Sequence, residues 1–132
     1  LIGQMSDLPV GLRMLRAVLD RIEDFASHLG KPALVLEAFF YHNALTYERH
    51  GFGYLAGQER MEAIHREFLP GAALAARLDG RTPFRSPGAG TTVRGRSWAI
   101  HDGILPRRWW PPMMYRPIGV RFEVCTAPGL PY

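Results

Sequence analysis

Hydrophobic positions in the first half of the chain recur with two different spacings. Between residues 11 and 30 they fall three or four positions apart with charged residues between them, which predicts an amphipathic helix that ends at Gly30. Residues 33–40 form a short apolar run in which Glu37 is the only charged residue. This run predicts a strand buried on both faces, as in a parallel or mixed sheet.

Three shorter elements follow this strand. The pattern predicts a helix from about His42 to His50, a short aromatic strand over residues 52–56, and a helix over residues 58–68 that Pro70 ends. Because helices and strands alternate, residues 1–70 indicate an α/β or α+β fold in which helices flank a mixed sheet.

The chain changes character at Pro70. Nine of its 11 prolines lie at or beyond this residue, which predicts a loop-rich C-terminal extension over residues 71–132. Within the extension, the glycines and arginines of residues 80–95 suit either a site facing a phosphate or acidic ligand or a solvated loop, and we favour the loop. Residues 98–101 are interpreted as a short strand. Two alternatives stay open at this point, since the extension either completes the fold or forms a separate tail.

Charge is divided along the same boundary. The 132 residues carry a formal net charge of +4, with −2 over residues 1–70 and +6 over residues 71–132. Residues 107–110 place two arginines beside two tryptophans, a pattern suited to stacking on single-stranded nucleic acid. The alternative is that the tryptophans pack on the core while the arginines stay in water. Nucleic-acid binding is therefore the weakest of the functional hypotheses.

The composition argues against several classes of protein. Cys125 is the only cysteine, which excludes an intramolecular disulfide and fits a reducing compartment, so we expect a cytoplasmic protein. No apolar run approaches the roughly 20 residues of a membrane span, so no membrane partner is expected. The five histidines lack metal-binding spacings, and neither a Gly-x-Ser-x-Gly motif nor a Gly-Lys-Ser/Thr motif occurs. No metal site is predicted.

A resemblance to a known family rests on the end of the second predicted helix. Residues 47–52 are Tyr-Glu-Arg-His-Gly-Phe, and they follow a long amphipathic helix, an apolar strand and a short helix. This arrangement is similar to the C-terminal half of the GNAT family of N-acetyltransferases, in which Tyr-Glu-Lys/Arg-x-Gly-Phe occupies the same junction. The resemblance covers residues from about 3 to 56. It implies a GNAT-like fold that is incomplete at its N-terminus.

The resemblance also implies roles for individual residues. Tyr47 corresponds to a family tyrosine that protonates the departing coenzyme A thiolate, which suits a phenol because it stays protonated at pH 7. The alternative is a half-buried aromatic with a packing role. The family binds the coenzyme pyrophosphate where the long helix begins. The implied coenzyme contacts are Gly11, Leu12, Arg13 and Asn43.

Glu37 is the candidate general base suggested by the residues themselves. A carboxylate in an apolar strand has a raised affinity for protons and accepts one from an amine. The alternative, which we favour, is that Glu37 faces solvent or pairs with an arginine.

These observations predict an N-acetyltransferase-like protein that transfers an acetyl group from acetyl-CoA to a small-molecule or peptide amine. One alternative is a non-catalytic, self-associating protein built on a partial acetyltransferase scaffold, and the other is nucleic-acid binding through the basic half. Half of a domain leaves apolar surface and a sheet edge uncovered, so we expect a homo-oligomer, with a dimer as its simplest form.

Overall fold

The computed structural model describes residues 10–132, which form a mixed α+β fold of five α helices and one three-stranded sheet. The helices are α1 (Val10–His28), α2 (Tyr41–Arg49), α3 (Gln58–Glu67), α4 (Ala73–Ala76) and α5 (Val93–His101). The strands are β1 (Ala33–Glu37), β2 (Gly53–Ala56) and β3 (Met113–Pro117). The predicted α+β class is confirmed, and the two predicted helices after β1 lie where the pattern placed them. Likeness to a GNAT domain remains a prediction.

The sheet has the strand order β1-β3-β2, and both pairings are antiparallel. The central strand β3 comes from the C-terminal extension, where Met114 and Arg116 are buried and their neighbours in the strand are half-buried. This alternation is the two-residue period of a strand. The apolar pattern does not reveal this period because an arginine occupies one of the two inward positions.

The environment predicted for β1 is wrong in two respects. Its neighbour among the described residues is β3, which runs antiparallel, so the described sheet is neither parallel nor mixed. The strand is also not buried on both faces, since Val35 is 57% exposed and Glu37 is exposed as well. Leu34 and Leu36 alone pack against the core. The apolar run over residues 33–40 therefore contains a strand, β1, of which only one face packs against the core.

The short strand predicted over residues 98–101 is also wrong, because these residues belong to helix α5. Thr92 caps the N-terminus of this helix, because its side-chain oxygen accepts a hydrogen bond from the Gly95 amide over 2.9 Å. One of its inward positions is Arg96, which is 2% exposed and donates to the Gly90 carbonyl oxygen over 2.7 Å. Its guanidinium also lies 2.9 Å from His65 Nδ1. A charged residue at a core position concealed the helical period.

One core connects both halves of the chain. Phe52 and Met61 from the first half contact the same cluster as Val93 and Ile104 from the second half, and each is at most 1% exposed. Helix α1 lies at the edge of this core. No helix among residues 10–132 is long and apolar enough to span a membrane.

Candidate functional site

The motif at residues 47–52 forms the predicted helix–turn–strand junction. Gly51 has a φ of +84°, a conformation that residues with a Cβ rarely adopt, and its amide donates to the Glu48 carbonyl oxygen. Tyr47 is half-buried, and its ring lies 5.6 Å from the ring of Phe52, which is fully buried. This contact with Phe52 gives Tyr47 the packing role that was the alternative to a catalytic one.

Glu48 is the polar centre of this junction. It is 6% exposed and accepts hydrogen bonds from the Tyr54 hydroxyl, the Thr126 hydroxyl and, over 3.0 Å, the Thr126 amide. Burial raises the pKa of the Glu48 carboxyl above its ordinary value, and the bonds from Thr126 and Tyr54 oppose this rise. The carboxylate thereby fastens the C-terminal segment to α2 and β2.

The structure does not bring the predicted site residues together in one cavity. Gly11 is exposed in the first turn of α1, and the Leu12 carbonyl oxygen lies 3.3 Å from the His50 ring, at the C-terminal end of α2. Asn43 lies at the opposite end of α2, where its side-chain oxygen accepts the Phe40 amide over 3.1 Å. Glu37 is exposed, as the favoured alternative predicted.

The remaining coenzyme contact that the resemblance implies is Arg13, near the start of α1. Arg13 is half-buried in the first turns of this helix. The residues before Val10, which include most of the turn that the family uses for pyrophosphate, lie outside the described residues.

A different cavity lies between α2 and α5 and has a volume of about 410 Å³. On its floor, His42 Nδ1 and Ser97 Oγ are 2.8 Å apart, which joins the two helices by a hydrogen bond. The Phe40 ring stacks on the His42 ring at 5.7 Å, with 5° between their planes. We call this cavity the α2–α5 cleft. Its lining residues are Phe40, His42, Arg94, Ser97, Trp98, His101 and Tyr132.

The cleft continues into a second cavity of about 380 Å³, which shares Phe40, Ser97 and His101 with it. The second cavity adds Arg107, Arg108 and Trp109 to the lining. The indole N–H of Trp109 donates to the Phe39 carbonyl oxygen over 2.8 Å.

The Arg60 guanidinium lies 5.2 Å from the Trp109 ring and 4.9 Å from the Trp110 ring. Both tryptophan rings are therefore already in contact with the guanidinium of Arg60, which belongs to α3.

The charge of the combined lining has a single sign. Three arginines contribute to it, and none of the described lining residues is acidic. Asp102 is adjacent in sequence, but its carboxylate accepts hydrogen bonds from Thr82 and Arg85 at 2.8 and 3.0 Å. The cleft therefore favours an anion, and its aromatic rings favour a ligand with a planar or apolar part.

The surroundings of His42 in the cleft also affect its protonation state. Burial lowers the pKa of its imidazole below the ordinary value, and the positive charge of Arg94 lowers this pKa further. The ring is consequently neutral at pH 7, and a neutral imidazole beside a hydroxyl accepts protons.

Sequence reasoning missed this site because it predicts no helix for one of its two walls. The prediction puts Arg94 in a solvated loop and Trp98 in a strand, whereas both lie on α5. The signal that was available is the Thr92 cap, which marks the start of a helix three residues before Gly95.

Among residues 10–132, no group of three or more His, Cys, Asp or Glu side chains is arranged to hold a metal ion. Comparison of the chain with models of protein families, with curated proteins and with solved structures gives no match.

Proposed function

We propose that this protein binds an anionic ligand with a planar ring in the α2–α5 cleft, and that the ligand is an acyl-coenzyme A whose acetyl group passes to an amine. The observation that carries the proposal is the lining of the cleft, where arginines and aromatic rings meet and the described residues supply no carboxylate. Coenzyme A combines several phosphates with a purine. Arginines bind phosphates as charge-assisted donors, and aromatic rings stack on purines.

The choice of an acetyl donor rests on the resemblance of residues 47–52 to the GNAT motif. In the proposed reaction, the amine nitrogen attacks the thioester carbonyl carbon and loses its proton to His42. The tetrahedral intermediate then collapses, the carbon–sulfur bond breaks, and the coenzyme A thiolate leaves and takes up the proton that His42 received from the amine. His42 suits the first step because its imidazole is neutral and Ser97 holds the ring by a hydrogen bond.

Tyr47 has no part in this version of the reaction. It follows His42 by five residues on α2, which turns it about 140° around the helix axis, and it does not line the cleft. The proposed site at His42 therefore differs from the site at Tyr47 that the family resemblance implies, although the reaction is the same.

Calorimetric titration with acetyl-CoA tests the site. Arg94→Ala is expected to weaken binding about tenfold, because a charge-assisted contact contributes about 1.5 kcal/mol. Arg77→Ala, which removes an exposed arginine away from the cleft, is the matched control and leaves the affinity unchanged. Absence of heat at millimolar acetyl-CoA contradicts the proposal. Weaker binding in Tyr47→Phe but not in Arg94→Ala places the coenzyme on the other side of α2.

The chemical step has its own test. Release of free coenzyme A thiol is followed with polyamine, aminoglycoside and peptide amines as acceptors. His42→Ala is expected to lower turnover about 100-fold or more while the dissociation constant of acetyl-CoA stays within about threefold of the wild-type value. Unchanged turnover in this variant eliminates His42 as the base.

A further inference from the structure

Helix α1 is apolar over more of its circumference than its contacts with the domain require. At 100° per residue its apolar side chains cover an arc of about 200°, whereas about 100° is enough for a helix that packs on one core. Leu15, Leu19 and Ala26 occupy one half of this arc and face the domain.

The other half of the arc is exposed. Six large apolar side chains form it, five on α1 and one, Leu29, directly after its last residue, and each is between 46% and 66% exposed. We call them the α1 stripe. Its members are Val10, Met14, Val18, Ile22, Phe25 and Leu29.

We propose that the α1 stripe is the contact between two copies of this chain, which pair their α1 helices antiparallel about a two-fold axis near residue 20. The stripe residues are spaced four, four, four, three and four positions apart, so the order is almost the same from either end. In an antiparallel pair, Val10 lies opposite Leu29 of the second copy, and Met14 lies opposite Phe25. Two-fold contacts need this kind of self-complementary surface.

The size of the stripe agrees with a second copy as its occupant. A helix of 19 residues is about 28 Å long. Two stripes of this length in contact remove on the order of 1,000 Å² from water, which is the lower limit for a specific interface. An apolar patch of this extent is uncommon on the surface of a monomer.

Sedimentation and light scattering of the 132-residue chain test the pairing. A dimer with a micromolar dissociation constant is expected, and Val18→Lys weakens it roughly 100-fold or more because each copy then buries an unpaired ammonium. Leu55→Lys is the control, since Leu55 on β2 is 57% exposed but lies outside the stripe. A monomer at all concentrations overturns the proposal, as does a dimer that Leu55→Lys dissociates and Val18→Lys does not.

Circular dichroism verifies that Val18→Lys is folded, and Met14→Gln replaces it if it is not. Orientation is tested separately in a Cys125→Ser background, by oxidising a mixture of the Met14→Cys and Phe25→Cys chains. The antiparallel pair is expected to give mainly the mixed disulfide, while a parallel pair gives the two symmetric products and contradicts the proposed geometry.

The dimer inference does not rest on the proposed function. None of the residues lining the α2–α5 cleft belongs to α1. Val18→Lys is therefore expected to bind acetyl-CoA with wild-type affinity if the cleft is the site, whatever its oligomeric state.

Discussion

Replacement of Gly95 by alanine is expected to destabilise the protein by about 2–4 kcal/mol, although alanine ordinarily stabilises a helix interior by about 1 kcal/mol relative to glycine. The effect on stability is expected to have the opposite sign here because α5 packs directly against the 3₁₀ turn at Ala89–Thr91. A Cβ at Gly95 would lie 2.8 Å from the Cα of Ala89 and 2.9 Å from its carbonyl carbon. Both atoms belong to the backbone, so α5 has to move as a whole.

Urea denaturation of Gly95→Ala measures this loss. Gly88→Ala is the matched control, because its added Cβ has no neighbour within 4 Å and its φ is −83°. This control is expected to be neutral or to gain up to about 1 kcal/mol from the reduced freedom of the unfolded chain. Equal stability of Gly95→Ala and the wild type would show that α5 does not contact the Ala89 backbone.

The second large effect is expected at Glu48. Glu48→Ala leaves the Tyr54 hydroxyl and the Thr126 amide and hydroxyl without their acceptor in a buried place. Unpaired buried donors cost about 1–3 kcal/mol each, so a loss of about 3 kcal/mol in the free energy of unfolding is expected. The Thr126 amide should also exchange its hydrogen faster, because its bond to Glu48 anchors the C-terminal segment.

Glu123→Ala is the control for Glu48→Ala, since it removes an exposed glutamate and should change stability by less than about 0.5 kcal/mol. A similarly small effect of Glu48→Ala would contradict the buried hydrogen-bonding role of this carboxyl.

Stability is expected to depend on pH through the same residue. Burial raises the pKa of Glu48 in the folded protein above the value of 4.5 in the unfolded chain. The folded state therefore holds its proton to higher pH, and Glu48 contributes stability below pH 4.5 that is lost as pH rises through the folded-state pKa. Chemical denaturation from pH 4 to pH 8 should show this decline relative to Glu48→Gln. A wild type that gains stability over this range relative to Glu48→Gln would contradict the sign.

Regular apolar spacing predicted α1, α2, α3 and β2 because in these elements the inward positions are mostly hydrophobic. The prediction failed where a charged side chain faces inward. Arg96 hid α5, and Arg116 hid β3, since a guanidinium among apolar residues erases the period that identifies an element. Arg116 is 2% exposed, donates to the His50 carbonyl oxygen over 2.7 Å, and lies 4.9 Å from the Phe52 ring.

The candidate site was less predictable than the fold for a related reason. Its two walls, His42 on α2 and Ser97 on α5, are joined by a hydrogen bond between residues that no local pattern connects. The motif at residues 47–52 predicts a site at Tyr47, which lies on a different side of α2 from His42. A local motif predicts its own turn well, as Gly51 and Phe52 show, but it does not indicate which helix packs alongside.

The position of β3 in the middle of the sheet has a consequence for how the protein folds. Ala33 pairs with Pro117 and Gly53 pairs with Tyr115, so both ladders join segments that are distant in the chain. Among the described strands, β1 does not pair with β2, the strand that follows it in sequence, and loop-closure entropy opposes the two long-range pairings that do form. During synthesis, β1 and β2 leave the ribosome before their common neighbour exists, and their free edges stay open to other chains until β3 has been made.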